Sequence, residues 1–154
     1  MKKHVYQCKM LNHREDSFMS VRSTVEYRGE KSCEVKHEPS DSSFLTDAPK
    51  DNNGQGRWFS PTDLAGASMG SCMLTIMAMA AEKIGIELKG TKVTVDKEMR
   101  ANPRRIAKLT VNFYLPKIDP IHQTSLENAA LTCPVKHSLH PDIEVPVNFH
   151  WGSI

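Results

Sequence analysis

Aromatic residues are scarce in this chain of 154 residues, at 6 %, and no block of Lys and Arg occurs in it. The formal net charge is only +2. A near-neutral balance leaves no electrostatic footprint for a nucleic-acid partner. The opening residues, Met1-Lys-Lys-His-Val-Tyr-Gln-Cys-Lys-Met, lack the apolar stretch of a secretory signal. The four cysteines do not follow the spacing of a small secreted disulfide framework, and neither C-x-x-C nor H-E-x-x-H is present. No internal repeat or low-complexity tract is found. These absences point to a cytoplasmic protein in a reducing compartment, of single-domain size, with no bound cofactor or metal.

One segment argues for a membrane. Leu64 to Ala81 is an uncharged run of 18 residues, the lower limit for a span. It is rich in Ala, Gly, Ser and Thr rather than Leu, Ile and Val, and it stands alone among alternating strands. A helix apolar on all sides is more simply the central helix of a packed domain. The expectation is therefore no membrane partner.

Residues 1–17 are polar and are read as an extension, with residues 18–154 as the folded domain; a strand at Val5–Met10 is one candidate within the extension. Phe18 to Tyr27 alternates, with Met19, Val21, Val25 and Tyr27 on one face, which predicts a half-buried strand. Ser32 to Glu38 reads as its hairpin partner after Gly29, and Phe44-Leu45-Thr46 as a short third strand. Asp47 to Arg57 is a polar loop containing Gly. A long helix then starts at Ser60 as N-cap, with Pro61 in the first helical position and Asp63 completing an S-x-x-D capping box. It should run to about Ile84 and end at Gly85. Strands follow at Thr91–Met99 and Ile106–Leu115, joined by a turn at Asn102-Pro103. Asp119-Pro120 opens a second helical region that reaches about His140 and is interrupted at Pro134. The last strand places Ile143, Val145, Val147, Phe149 and Trp151 on one face. This order predicts an α+β fold. The first helix is apolar on more faces than one sheet can cover, so a partner subunit is the simplest second cover.

The chemistry-bearing residues are two cysteines. Cys72 lies mid-helix behind Gly66, Ala67, Ser68, Gly70 and Ser71. Such small residues admit a close neighbour, which is either another chain segment, a substrate, or ordinary tight packing. Cys133 precedes Pro134, so it sits either at a kink or at the N-cap of a fresh helical turn. At an N-cap, free backbone N–H groups and the helix dipole would lower its pKa. Cys133, His137 and His140, with Cys72, have the residue types of a zinc set, but no metal motif supports that reading. Met69, Met73 and Met77 recur every four residues, the pattern of a core stripe or of a flexible thioether-lined ligand cleft. Cys8 and Cys33 lack any partner motif.

The stretches Ser60-Pro-Thr-Asp-Leu…Cys72 and Ala130-Leu-Thr-Cys133-Pro-Val resemble the OsmC/Ohr family of thiol-dependent hydroperoxide reductases, and more its broad OsmC-like branch. The resemblance covers roughly residues 18–151. It implies antiparallel sheets around two central cysteine-bearing helices in an intertwined homodimer, with each site built from both chains. It further implies that Cys72 attacks an organic hydroperoxide and becomes a sulfenic acid, that Cys133 condenses with it to a disulfide, and that a dithiol reductant, in the family a lipoyl group on a carrier protein, restores both thiols. Two departures stand out. The family's peroxidases carry Glu directly after the helix-start proline, whereas Thr62 stands there and the carboxylate, Asp63, follows. Nine residues at about 100° each put Asp63 on the far side of the helix from Cys72. The arginine that precedes the helix in OsmC proper has no counterpart in Leu45-Thr46-Asp47. Arg57 is the nearest candidate, with Arg22 and Arg28 further off.

Overall fold

The computed structural model describes residues 20–154, arranged as two three-stranded sheets with three helices. The candidate strand at Val5–Met10 and the boundary near residue 17 lie outside the described residues. β1 (Ser23–Gly29), β2 (Ser32–His37) and β3 (Ser42–Asp47) form an antiparallel meander. After the loop comes α1 (Pro61–Glu82), then β4 (Lys92–Arg100) and β5 (Arg105–Leu115). The chain continues through α2 (Pro120–Leu131) and α3 (Pro134–Ser138) to β6 (Val147–Trp151). The α+β expectation and most element boundaries hold.

Two features differ from the sequence reading. The second sheet is not wholly antiparallel: β4 pairs antiparallel with β5, but β6 runs parallel to β5, from Val111 opposite Val147 to Leu115 opposite Trp151. The helical crossover α2–α3 separates the two strands and permits this direction. The first strand is also not half-buried. Val25 and Tyr27 are 63 % and 66 % exposed, because nothing among the described residues covers their face.

α1 begins as its sequence dictates. The Ser60 hydroxyl accepts the Asp63 N–H at 3.2 Å, and the Asp63 carboxylate accepts the Ser60 N–H at 2.8 Å. The helix ends near Gly85, whose φ of +71° is readily adopted only by a residue without Cβ. Its buried stripe is Gly66, Met69, Gly70, Met73, Met77 and Ala81. The two glycines let α1 lie against β4: a Cβ at residue 70 would come 2.8 Å from a Val95 methyl. Met69, Met73 and Met77 are fully buried with Leu109, Val111, Phe113 and Leu115 of β5 and Leu126 of α2. The methionine stripe is therefore core and lines no cleft. α1 is long and apolar enough to cross a membrane. Here it is the central element of the packed domain, its buried stripe set against β4, β5 and α2. Its opposite face, Ala67, Ser68, Ser71, Thr75 and Met79, is left exposed by the described residues.

Candidate thiol site

The fold brings Cys72 and Cys133 together. Cys72 lies at the middle of α1 and is partly buried, whereas Cys133 is completely buried. Cys133 is the N-cap of α3, with Pro134 in the first helical position, so the chain starts a fresh turn there rather than kinking one helix. Its sulfur accepts the Lys136 N–H at 3.5 Å and points its S–H toward the Met69 carbonyl at 3.9 Å. Met69, whose carbonyl it faces, is one turn before Cys72 on α1, and Cys72 is near enough to act on its titration. α1 and the start of α3 thus hold two free thiols as neighbours.

The expected acidification of Cys133 does not occur. Burial pushes its thiol above the ordinary value, and the neighbouring Cys72 adds to the rise. The Lys136 and Val135 N–H groups pull the other way and do not prevail. The N-cap position is real, but packing beneath Met69 and Cys72 removes the water that would stabilise a thiolate.

The remaining candidates gather at the other end of α1. Cys72 lies nine positions after Asp63 and ten after Thr62, about 14 and 15 Å along a helix axis. Lys97 on β4 reaches across to both, with Nζ 2.9 Å from Thr62 Oγ1 and 2.6 Å from Asp63 Oδ1. Desolvation raises the Asp63 carboxyl, but Lys97, the Ser60 hydroxyl and the Ser60 N–H together hold it below the usual range. The capping role expected for Asp63 is present, and within the protomer this carboxylate does not meet Cys72.

Arg57 is likewise occupied. Its Nε and backbone N–H both donate to Asp47 Oδ2, at 3.0 and 3.1 Å, and its Nη1 donates to Glu30 at 3.2 Å. The guanidinium lies over the Trp58 ring, 4.7 Å from its centroid. The Arg57 backbone N–H, then its guanidinium, hold Asp47 below the usual carboxylate range against the cost of its burial. Arg28 pairs with Glu26 and Glu34 on the exposed meander, and Arg22 precedes β1. Within one chain no arginine named from the sequence serves Cys72.

Arg57, Trp58, Phe59, Asp63 and Lys97 line a groove of about 670 Å³ between the start of α1 and β4. Lys97 and Asp47 were missed by the sequence reading. Lys97 left a signal: it occupies the inward register of β4, in series with Val93, Val95 and Met99. A lysine in that register must find a carboxylate or reach water. Among the described residues no cluster of three or more His, Cys, Asp or Glu could hold a metal ion. His140 instead faces Arg105 and Asp142.

The family model for OsmC-like proteins matches residues 54–148, which includes both cysteines. A Psychrobacter arcticus 273-4 protein, provisionally assigned as an osmotic stress induced and detoxification response protein, is 40 % identical. The match covers 87 % of this chain and 99 % of that one, with a TM-score of 0.81. Two more distant structures share the fold. One is the organic hydroperoxide resistance protein OsmC of Legionella pneumophila, at 17 % identity and TM-score 0.67 over 87 % and 98 % of the two chains. The other is an organic hydroperoxide resistance protein of Elizabethkingia anophelis, at 18 % and 0.67 over 88 % and 98 %. No curated protein matches the chain. Sequence match, fold and the paired cysteines agree, and the chain belongs to the OsmC-like family.

Proposed function

We propose that the protein is a cytoplasmic thiol peroxidase that reduces organic hydroperoxides in oxidative stress defence. The observation that carries this reading is that two free thiols are neighbours, the partly buried Cys72 and the fully buried Cys133. The Cys72 thiolate attacks the O–O bond of ROOH; the alcohol leaves with a proton, and Cys72 becomes a sulfenic acid. The Cys133 thiol then displaces water from that sulfur and closes the disulfide. A dithiol reductant, such as a lipoyl group on a carrier protein, takes the two oxidising equivalents and returns both thiols. The high Cys133 pKa suits this division of labour, because it keeps Cys133 protonated while Cys72 attacks.

The active form in this reading is an intertwined homodimer. Three surfaces that the described residues leave exposed support it: the apolar face of β1, the small-residue face of α1, and Trp58 and Phe59 at the groove. A second α1 crossing the first would bring a partner's groove, with its Arg57 and Lys97, toward Cys72. The carboxylates already paired with both cations favour a second reading, a non-catalytic member of the fold that binds a small ligand or senses redox state. Titration of the reduced protein with cumene hydroperoxide, followed by thiol count and intact mass, separates the two. Peroxidase chemistry consumes two thiols per chain, and Cys133→Ser traps an oxidised Cys72. Turnover unchanged in Cys72→Ser, or thiols that stay reduced, would overturn it.

A further inference from the structure

Cys133 performs two tasks at once. Its sulfur caps α3, and its carbonyl accepts the His137 N–H at 3.1 Å. The same sulfur is the one beside Cys72. A disulfide needs an S–S distance of about 2.05 Å and a dihedral near 90° in magnitude, so one sulfur must leave its present contacts to form it. The two ends are not equally free to move. Cys72 is held mid-way along a 22-residue helix whose buried stripe is locked against β4 and β5. Cys133 sits at the joint between two helices, and α3 is five residues long with none of them buried. Beyond α3 the chain is anchored again, where Glu144 exchanges backbone hydrogen bonds with Leu109 and Ala107 of β5.

We propose that closing the Cys72–Cys133 disulfide uncaps and displaces α3, so that the oxidation state of the thiol pair is displayed at the surface by residues 134–140. The displacement is confined between the joint at Cys133 and the anchor at Glu144. The two thiols lose two electrons and two protons to the oxidant. An organic hydroperoxide accepts them and leaves as alcohol and water; a diazene such as diamide accepts them and leaves as the hydrazine. The inference rests on the peroxidase reading only for the physiological oxidant, since diamide forms the same bond without it.

The experiment uses full-length protein carrying Cys8→Ser and Cys33→Ser, reduced or oxidised with diamide, with the disulfide verified by mass. Amide hydrogen exchange is read residue by residue. The Lys136 and His137 amides should exchange about five- to tenfold faster in the oxidised form, the range expected when a helix cap is lost. Amides of α1 around residue 72 should stay unchanged. Three results would overturn the proposal: no disulfide under diamide, a fully oxidised protein with α3 unchanged, or a change centred on α1. The same α3 response in a diamide-treated variant that also carries Cys72→Ser would overturn it too. If diamide produces the response and cumene hydroperoxide oxidises neither thiol, the switch stands and the peroxidase reading alone fails.

Discussion

The Lys97 ammonium lies 2.6 Å from Asp63 Oδ1, and this one ion pair clamps β4 to the first turn of α1 across 34 residues of sequence. A cation near a helix N-terminus opposes the helix dipole. It is tolerated here because Asp63 stands between them and also caps the helix. The pair is partly exposed, so its own contribution is modest and screened by salt.

The clamp has a defined pH signature. The folded-state pKa of Asp63 lies below its unfolded value. Its stabilisation is therefore fully present above the unfolded carboxylate value of about 3.9 and is lost as pH falls through the folded value. Urea unfolding of wild type and Lys97→Met should differ by a constant amount between about pH 5 and 7, and the gap should shrink below about pH 4. A gap that persists unchanged in acid would show that Lys97 contributes packing rather than charge. Ser60→Ala should cost about 1 kcal/mol near neutral pH, because a cap is lost, and part of that cost should fade in acid, because the Ser60 hydroxyl also favours the ionised Asp63 carboxylate.

Gly70 tests the close approach of α1 to β4. Alanine there gains helix propensity of about 1 kcal/mol. It also puts a Cβ 2.8 Å from a methyl of Val95, whose branched side chain is stiff. Overpacking of this kind costs about 1–3 kcal/mol, so Gly70→Ala should be net destabilising by about 1 kcal/mol. Val95→Ala in the same background makes room. The double variant should be more stable than the sum of the single losses predicts. Additive losses in urea melts would mean that the helix and sheet already have space to part.

The start of α1 was legible because Ser60, Pro61 and Asp63 each state a local rule, and local rules survive folding. The N-cap position of Cys133 was legible for the same reason. Its pKa was not, because what raises it is burial, and the sulfur packs near Met69 and Cys72, residues more than 60 positions away. The strand ending in Trp151 could be read from its alternation, but not the parallel direction in which it joins β5. The small residues before Cys72 carried an ambiguity that only packing resolves: Gly66 and Gly70 face the sheet, while Ala67, Ser68 and Ser71 face outward. Lys97 is a tertiary partner by definition. Nothing in residues 92–100 announces Asp63.

Asp47 and Arg57 provide a third test. The Asp47 side chain is fully buried, and its Oδ2 receives both the backbone and the guanidinium of Arg57. Arg57→Met keeps the stacking volume over Trp58 but leaves a buried carboxylate without its counter-charge. It should destabilise the protein more than Asp47→Asn, which removes the charge itself. Asp47 carries a depressed pKa, so its stabilisation is present above the unfolded value and disappears as pH falls through the folded one. The acid limb of the wild-type stability curve should therefore be steeper than that of Asp47→Asn. Arg57→Lys should not restore wild-type stability, because an ammonium cannot reproduce the planar stack and the fork that also reaches Glu30. Thermal melts of the four proteins from neutral pH into acid check all three statements.

Cys133 carries the prediction with the clearest sign. Burial raises its folded-state pKa above the unfolded value of about 8.5. The folded protein therefore holds that proton more tightly than the unfolded chain does. The resulting stabilisation is fully present below about pH 8.5 and is lost as pH rises through the folded value. Stability of the reduced protein should fall in mild alkali, and Cys133→Ser should lack that part of the fall. Cys72 is a second, smaller cause of the rise, so Cys72→Ser should bring the Cys133 pKa part of the way down while burial still keeps it high. Thiolate absorbance near 240 nm, followed against pH in single-cysteine variants, reads both values directly. A Cys133 thiolate present at neutral pH would reverse the order of attack argued above and make the buried cysteine the nucleophile.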